Sequence, residues 1–187
     1  MWPFLFIGEL SENVHIRSVS FILQFFTFHL LHSIGTIYHK TGQPEKALEC
    51  LEASLRLKKK HYVGGHLSVA ETMNVLALSY DSLGKKDDAI SSFEEALTIY
   101  EKKFGAHATT ASILDSLGSV SLSKGSLNKA HGYFERALAL KRLVYGDEDV
   151  EVSNTLFYVG KVQSKSGDMD DALNTFKEGK FKCLHHA

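Results

Sequence analysis

The sequence predicts an all-α protein, a right-handed superhelical solenoid of about four antiparallel helix hairpins. Three observations carry that expectation. Gly42, Gly84, Gly125 and Gly167 recur at intervals of 42, 41 and 42 residues, a period that marks stacked arrays of small helical units. Fixed columns surround each glycine: Gly35, Ala77, Gly118 and Gly160 stand seven residues before it, and Ala47, Ala89, Ala130 and Ala172 five after it. Leu51, Phe93, Phe134 and Phe176 follow nine after it, and Ser54, Ala96, Ala137 and Gly179 twelve after it. Apolar residues on both sides of the glycines fall at i, i+3, i+4 and i+7, the spacing of one helix stripe. With two prolines in 187 residues, little interrupts those helices.

Along the chain, residues 1–27 form an atypical hydrophobic leader or capping helix. Phe4, Phe6, Phe21, Phe25, Phe26 and Phe28 crowd into the first 28 positions, and no formally charged residue lies between Arg17 and Lys40. No basic residue precedes the apolar run and no small-x-small site follows it, which argues against a signal peptide. The dense apolar run 19–31 falls short of the roughly 20 residues a bilayer requires and holds Gln24, Thr27 and His29. The repeat domain spans 28–187, in units of about 28–69, 70–110, 111–152 and 153–187. In unit 1 the first helix carries Gly35 and Tyr38, stops at Gly42, and the second carries Ala47 and Leu51 and closes on Lys58, Lys59 and Lys60. That triple lysine reads as a solvated helix end. Unit 2 repeats this with Met73, Leu76, Ala77 and Tyr80, then Ala89, Phe93, Ala96, Leu97 and Tyr100, opened by Asp87 and Asp88 and closed by Lys102 and Lys103 in agreement with the helix dipole. Unit 3 carries Gly118, Ala130, Phe134 and Ala137 and closes on Lys141 and Arg142; unit 4 carries Gly160, Ala172 and Phe176 behind Asp168, Asp170 and Asp171. Ser121 and Gln163 replace the Tyr38/Tyr80 column, which predicts looser packing there. The glycines need a left-handed backbone at the stop of each first helix, and the small columns let the paired helices approach.

This pattern resembles the tetratricopeptide repeat, in the long form of kinesin light chains and similar multi-repeat proteins. The residues that carry the resemblance are the stretch 69–77 (VAETMNVLA), Leu83-Gly84-Lys85, Phe93-Glu94-Glu95-Ala96-Leu97 and Phe104-Gly105-Ala106-His107, and it covers about residues 28–182. The resemblance implies a non-enzymatic scaffold or adaptor. The family's paired asparagines on the first helix survive only as Asn74, and no heptad run precedes Phe28, so direct assembly with a motor is not implied.

The chemistry of the chain agrees with that expectation. There is no GxxxxGK[ST], HExxH, GxSxG or GxGxxG, hence no predicted catalytic residue, cofactor or small-molecule substrate. Cys50 and Cys183 are too far apart in sequence for a zinc knuckle, and His29, His32 and His39 read as surface or interface residues rather than metal ligands. A net charge of −1, from 21 Lys and Arg against 22 Asp and Glu, offers no basic surplus for nucleic acid. What remains is a surface. In such stacks the first helices line a concave groove that takes a peptide segment of another protein. The expected lining is Asn74, Leu78 and Asp81 of unit 2, Asp115 and Ser119 of unit 3, and Asn154, Phe157 and Lys161 of unit 4. His32, Thr36, His39, Glu71, Leu122 and Ser164 share its columns. The expected location is cytoplasmic. Alternatives are a regulatory or oligomerisation module of a larger multidomain protein, suggested by the missing polar closing helix, and a membrane-tethered adaptor using residues 18–31.

Overall fold

The computed structural model describes the backbone of residues 4–62 and 64–185, and side chains over 22–62 and 64–180. Eight helices follow one another: α1 (Phe4–Lys40), α2 (Pro44–His61), α3 (Leu67–Ser82), α4 (Lys86–Phe104), α5 (Ala108–Ser123), α6 (Leu127–Tyr145), α7 (Val150–Ser166) and α8 (Met169–His185). No strand occurs among the described residues. They pair as the hairpins α1·α2, α3·α4, α5·α6 and α7·α8, each hairpin packs on the next, and first helices touch across α1·α3 and α5·α7. The result is an all-α solenoid whose core runs along its length.

The recurring glycines end the first helices as the spacing predicts. Gly42, Gly84, Gly125 and Gly167 have φ of 73°, 73°, 84° and 95°. After each one the next amide reaches back to a carbonyl in the last turn: Gln43 N to Tyr38 O, Lys85 N to Tyr80 O, Ser126 N to Ser121 O and Asp168 N to Gln163 O, all at 2.9–3.0 Å. That bond satisfies a carbonyl the helix would otherwise leave open. The small and large columns meet inside each hairpin. A Cβ on Gly118 would stand 2.7 Å from the Phe134 ring, one on Gly160 2.7 Å from Phe176, and one on Gly35 2.6 Å from Leu51. Leu51, Phe93 and Phe134 are fully buried.

Helix starts show why α1 differs from the rest. His66 and His107 accept the amides of Ser68 and Thr109 on Nδ1, and Asp149 accepts that of Glu151 on Oδ1. These caps all stand 18 residues before their unit's glycine, and Gly64, Gly105 and Gly146, with positive φ, break the chain just ahead of them. In unit 1 the cap column holds Gln24, and Ile22 stands where Gly64 and Gly105 stand in units 2 and 3. With neither breaker nor cap, the helix runs on, so the leader and the first repeat helix form one 37-residue element.

On the outer side, the second helices are linked by ion pairs in one recurring register. Lys59 meets Glu95 at 2.9 Å, Glu101 meets Arg136 at 2.5 Å and Arg142 meets Glu178 at 2.7 Å. The sign alternates from junction to junction. Exposed pairs of this kind add little stability, but the alternation penalises a hairpin stacked out of order.

Candidate functional site

The open face of α3, α5 and α7 is built from three columns. Glu71, Ser112 and Asn154 are exposed at one level; Asn74 and Asp115, half-buried, and Phe157, exposed, form the next; Leu78, half-buried, and Ser119 and Lys161, exposed, form a third. Its middle is low, because α5 presents Ser112, Ser116, Ser119 and Ser123. Three of these hydroxyls fold back onto their own helix, Ser112 onto Ala108 O, Ser116 onto Ser112 O and Ser123 onto Val120 O, at 2.8–3.1 Å. Toward α7 the surface rises to Phe157, 54 % exposed, whose ring stands 5.9 Å from Phe176. A cavity of about 310 Å³ beside it is lined by Ser153, Asn154, Phe157, Phe176, Gly179 and Lys180. At the other end Asp81 is held by Lys86 at 2.5 Å.

Some expected lining residues serve the stack instead. Leu122 is buried with Ala130, Phe134, Val159 and Val162, which removes it from the groove. Asp115 pairs with Lys141 at 2.5 Å and accepts from Thr155 Oγ1 at 3.1 Å. His32 Nδ1 lies 3.1 Å from Thr72 Oγ1, and His39 Nδ1 3.1 Å from Ser79 Oγ, so both histidines tie α1 to α3. Among the described residues no cluster of His, Cys, Asp or Glu could hold a metal ion.

The lysine that stands 16 residues after the glycine in units 1 and 3 was not legible as a core residue. Lys58 is 1 % exposed, a correction to its reading as a solvated helix end. Its ammonium donates to Thr72 Oγ1 at 2.8 Å and Ser68 O at 3.1 Å and lies 6.0 Å from the Phe28 ring centre. Lys141, equally buried, is bound by Asp115 and by Glu151 at 2.8 Å. In unit 2 the same column holds Tyr100, and the following unit offers Ile113 where Thr72 and Thr155 stand. Two polar junctions therefore bracket an apolar one. Their titration shifts in opposite directions, because Lys141 has carboxylate partners and burial's downward pull on it is outweighed by its hydrogen bonds and charge contacts with Asp115 and Glu151, which raise it. Burial, opposed only by Glu71, pulls Lys58 down to about 8, and burial with the neighbouring Lys58 pulls His32 down to about 4.

These shifts fix the pH response of the first junction. The unfolded chain protonates His32 near 6.5 while the folded chain holds it neutral to about 4, so stability is lost as pH falls from 6.5 toward 4. For Lys58 the unfolded chain keeps its proton up to 10.5 and the folded chain releases it near 8, so stability rises between those values. Melting curves at neutral pH and at about pH 4.5 should show a lower midpoint in acid, and His32→Gln should remove part of the difference. An equal drop in the variant would mean that His32 does not carry the effect.

A linear stack of helix hairpins with an open polar face belongs to the class of helical interaction scaffolds. The family model of the tetratricopeptide repeat matches residues 26–102 and 107–179, and the chain belongs to the tetratricopeptide repeat family. A TPR repeat-containing protein of Dictyostelium discoideum is 29% identical over 143 residues, covering 75% of this chain. Protein KINESIN LIGHT CHAIN-RELATED 1 of Arabidopsis thaliana is 22% identical over 148 residues, covering 79% of it. The chain spans only 9% and 24% of the length of those two curated relatives. Among solved structures, BtubC (BKLC) from P. vanneervenii superposes with a TM-score of 0.80 at 25% identity, over 85% of this chain and 64% of that one. The repeats are thus similar to those of a kinesin-light-chain-related protein.

Proposed function

We propose that the chain is a protein-protein adaptor that binds a peptide segment along the open face of α3, α5 and α7. One observation carries the reading: three successive first helices leave the same three columns open or half-open, while the columns between them that face the stack are buried. The serine floor of α5 lets a partner backbone approach closely. Asn74 and Asn154 can each donate to and accept from that backbone, and Phe157 offers an apolar contact beside an existing cavity. Lys161 and Lys165, both exposed, favour acidic residues at the α7 end of the segment, and Glu71 favours basic ones at the other. Leu78 and Ser119 complete the lining, whereas Asp81 and Asp115 are held by Lys86 and Lys141. Affinity capture with the wild type and with an Asn74→Ala, Lys161→Ala variant tests this. Loss of a subset of partners supports the groove, and identical partners with both proteins would sink it.

A second reading has its own support. Because the chain corresponds to a minor part of its curated relatives, the same face could contact a neighbouring domain of a longer protein. A membrane tether through residues 18–31 begins in positions whose side chains lie outside the described residues; among the described ones no helix is long and apolar enough to cross a membrane.

A further inference from the structure

Two columns that are buried in every later unit lie open on α1. Twelve residues before the glycine stand Thr72, Ile113 and Thr155, and five before it Ser79, Val120 and Val162; all are at most 2 % exposed, covered where the preceding hairpin packs. On α1 those columns hold Leu30, 63 % exposed, and Ile37, 60 % exposed. Ile22, Phe26 and Ser33 continue the same stripe, on the side of α1 turned away from α2 and α3, with Leu23 at its flank. α1 is thus shaped to receive a helix, yet the chain leading into it does not fold back as a separate one, because it is part of α1, which begins at Phe4. Taking about 200 Å² for a whole large side chain, the exposed parts of Ile22, Leu23, Phe26, Leu30 and Ile37 amount to roughly 600 Å². That is near the roughly 800 Å² per partner of a standard interface and at the top of what a monomer leaves open.

The stripe also says which helix fits it. A head-to-tail copy would present α8, where Lys180 occupies the column that holds Leu55, Leu97 and Leu138 in the other second helices. Its charge would be pressed against a face with no carboxylate between Arg17 and Lys40, an unpaired buried charge. A second α1 has neither problem. If two stripes run antiparallel with Leu30 at the centre, Ile22 faces Ile37 of the partner subunit and the large Phe26 faces the small Ser33 of the partner subunit. No formal charge is buried, and the contact is self-complementary, as a two-fold interface must be.

We propose that the outward face of α1 from Ile22 to Ile37 is a homodimer interface, formed by antiparallel packing of two α1 helices about a two-fold axis near Leu30. The dimer carries two peptide grooves on one rigid body, which favours bivalent partners.

Sedimentation velocity on the full chain tests it. The wild type should sediment at twice the 20.8 kDa of one chain. Ile37→Lys alone should weaken association about tenfold or more with helix content unchanged. Combining Ile22→Glu with Ile37→Lys in one chain should restore the dimer, because the antiparallel axis brings opposite charges together. A parallel pairing would set like against like, so a double variant that stays monomeric overturns the proposal. So does a monomeric wild type, an open series of higher oligomers, or association with neutral lipid vesicles in place of dimerisation.

Discussion

Phe134→Ala is expected to lower the unfolding free energy by about 3–5 kcal/mol. The ring is fully buried, lies against Gly118 where a Cβ would come within 2.7 Å, and stacks on Tyr158 of the next unit at 5.3 Å and 10°. It shares a cluster with Leu122, Ala130, Val159 and Val162, so it joins two hairpins. Truncation leaves a hole that Gly118 cannot refill, having no side chain, and relaxation would require moving α5 against α6. For a chain of this size the loss corresponds to a fall in melting temperature of roughly 10 °C. Because each unit contacts only its neighbours, the transition should also broaden as α7 and α8 uncouple from the rest. Circular dichroism melting reads both effects. Phe176→Ala, at a half-buried position in the last unit, should cost less, and an unchanged melt for Phe134→Ala would remove the aromatic column from its role in the stack.

The period and the small-large columns were legible because each acts within a single hairpin. Gly118 and Phe134 lie on the two helices of one hairpin, and both sides of their contact can be read as helix stripes. The junctions were harder. Lys58 looks like a helix end in a lysine run until its column is set against the following unit's Thr72, a contact 14 residues downstream that no helical period reveals. The caps at His66 and His107 were visible as residues but not as acceptors, since histidine is an uncommon cap. Asp115 shares a column with Asn74 and Phe157, and only its lysine neighbour in space separates a junction carboxylate from a groove residue. The continuity of α1 had a readable cause, Ile22 and Gln24 in place of a glycine and a cap, but those columns lie before residue 28, where the sequence resemblance to the repeat begins.

The third junction makes the strongest electrostatic prediction. Lys141→Ala should cost about 3 kcal/mol, because it leaves the Asp115 carboxylate, 24 % exposed, beside Thr155 without its cation. Burial already pushes Asp115 up, and its bonds with Lys141 and Thr155 only partly offset that; without Lys141 it should rise further, so the variant should regain stability as the pH falls through the carboxylate range. The second junction supplies the control, since the chain there packs Tyr100 with Ile113 and holds Asn74 in the column of Asp115. Transplanting that set, as Lys141→Tyr, Asp115→Asn and Thr155→Ile together, should recover most of the lost stability, because a well-packed apolar junction replaces a buried ion pair at little or no net cost. Chemical unfolding of the single and triple variants compares the two directly. If the triple variant were as unstable as Lys141→Ala, the ion pair would contribute more than the packing it occupies, and the two kinds of junction would not be interchangeable solutions.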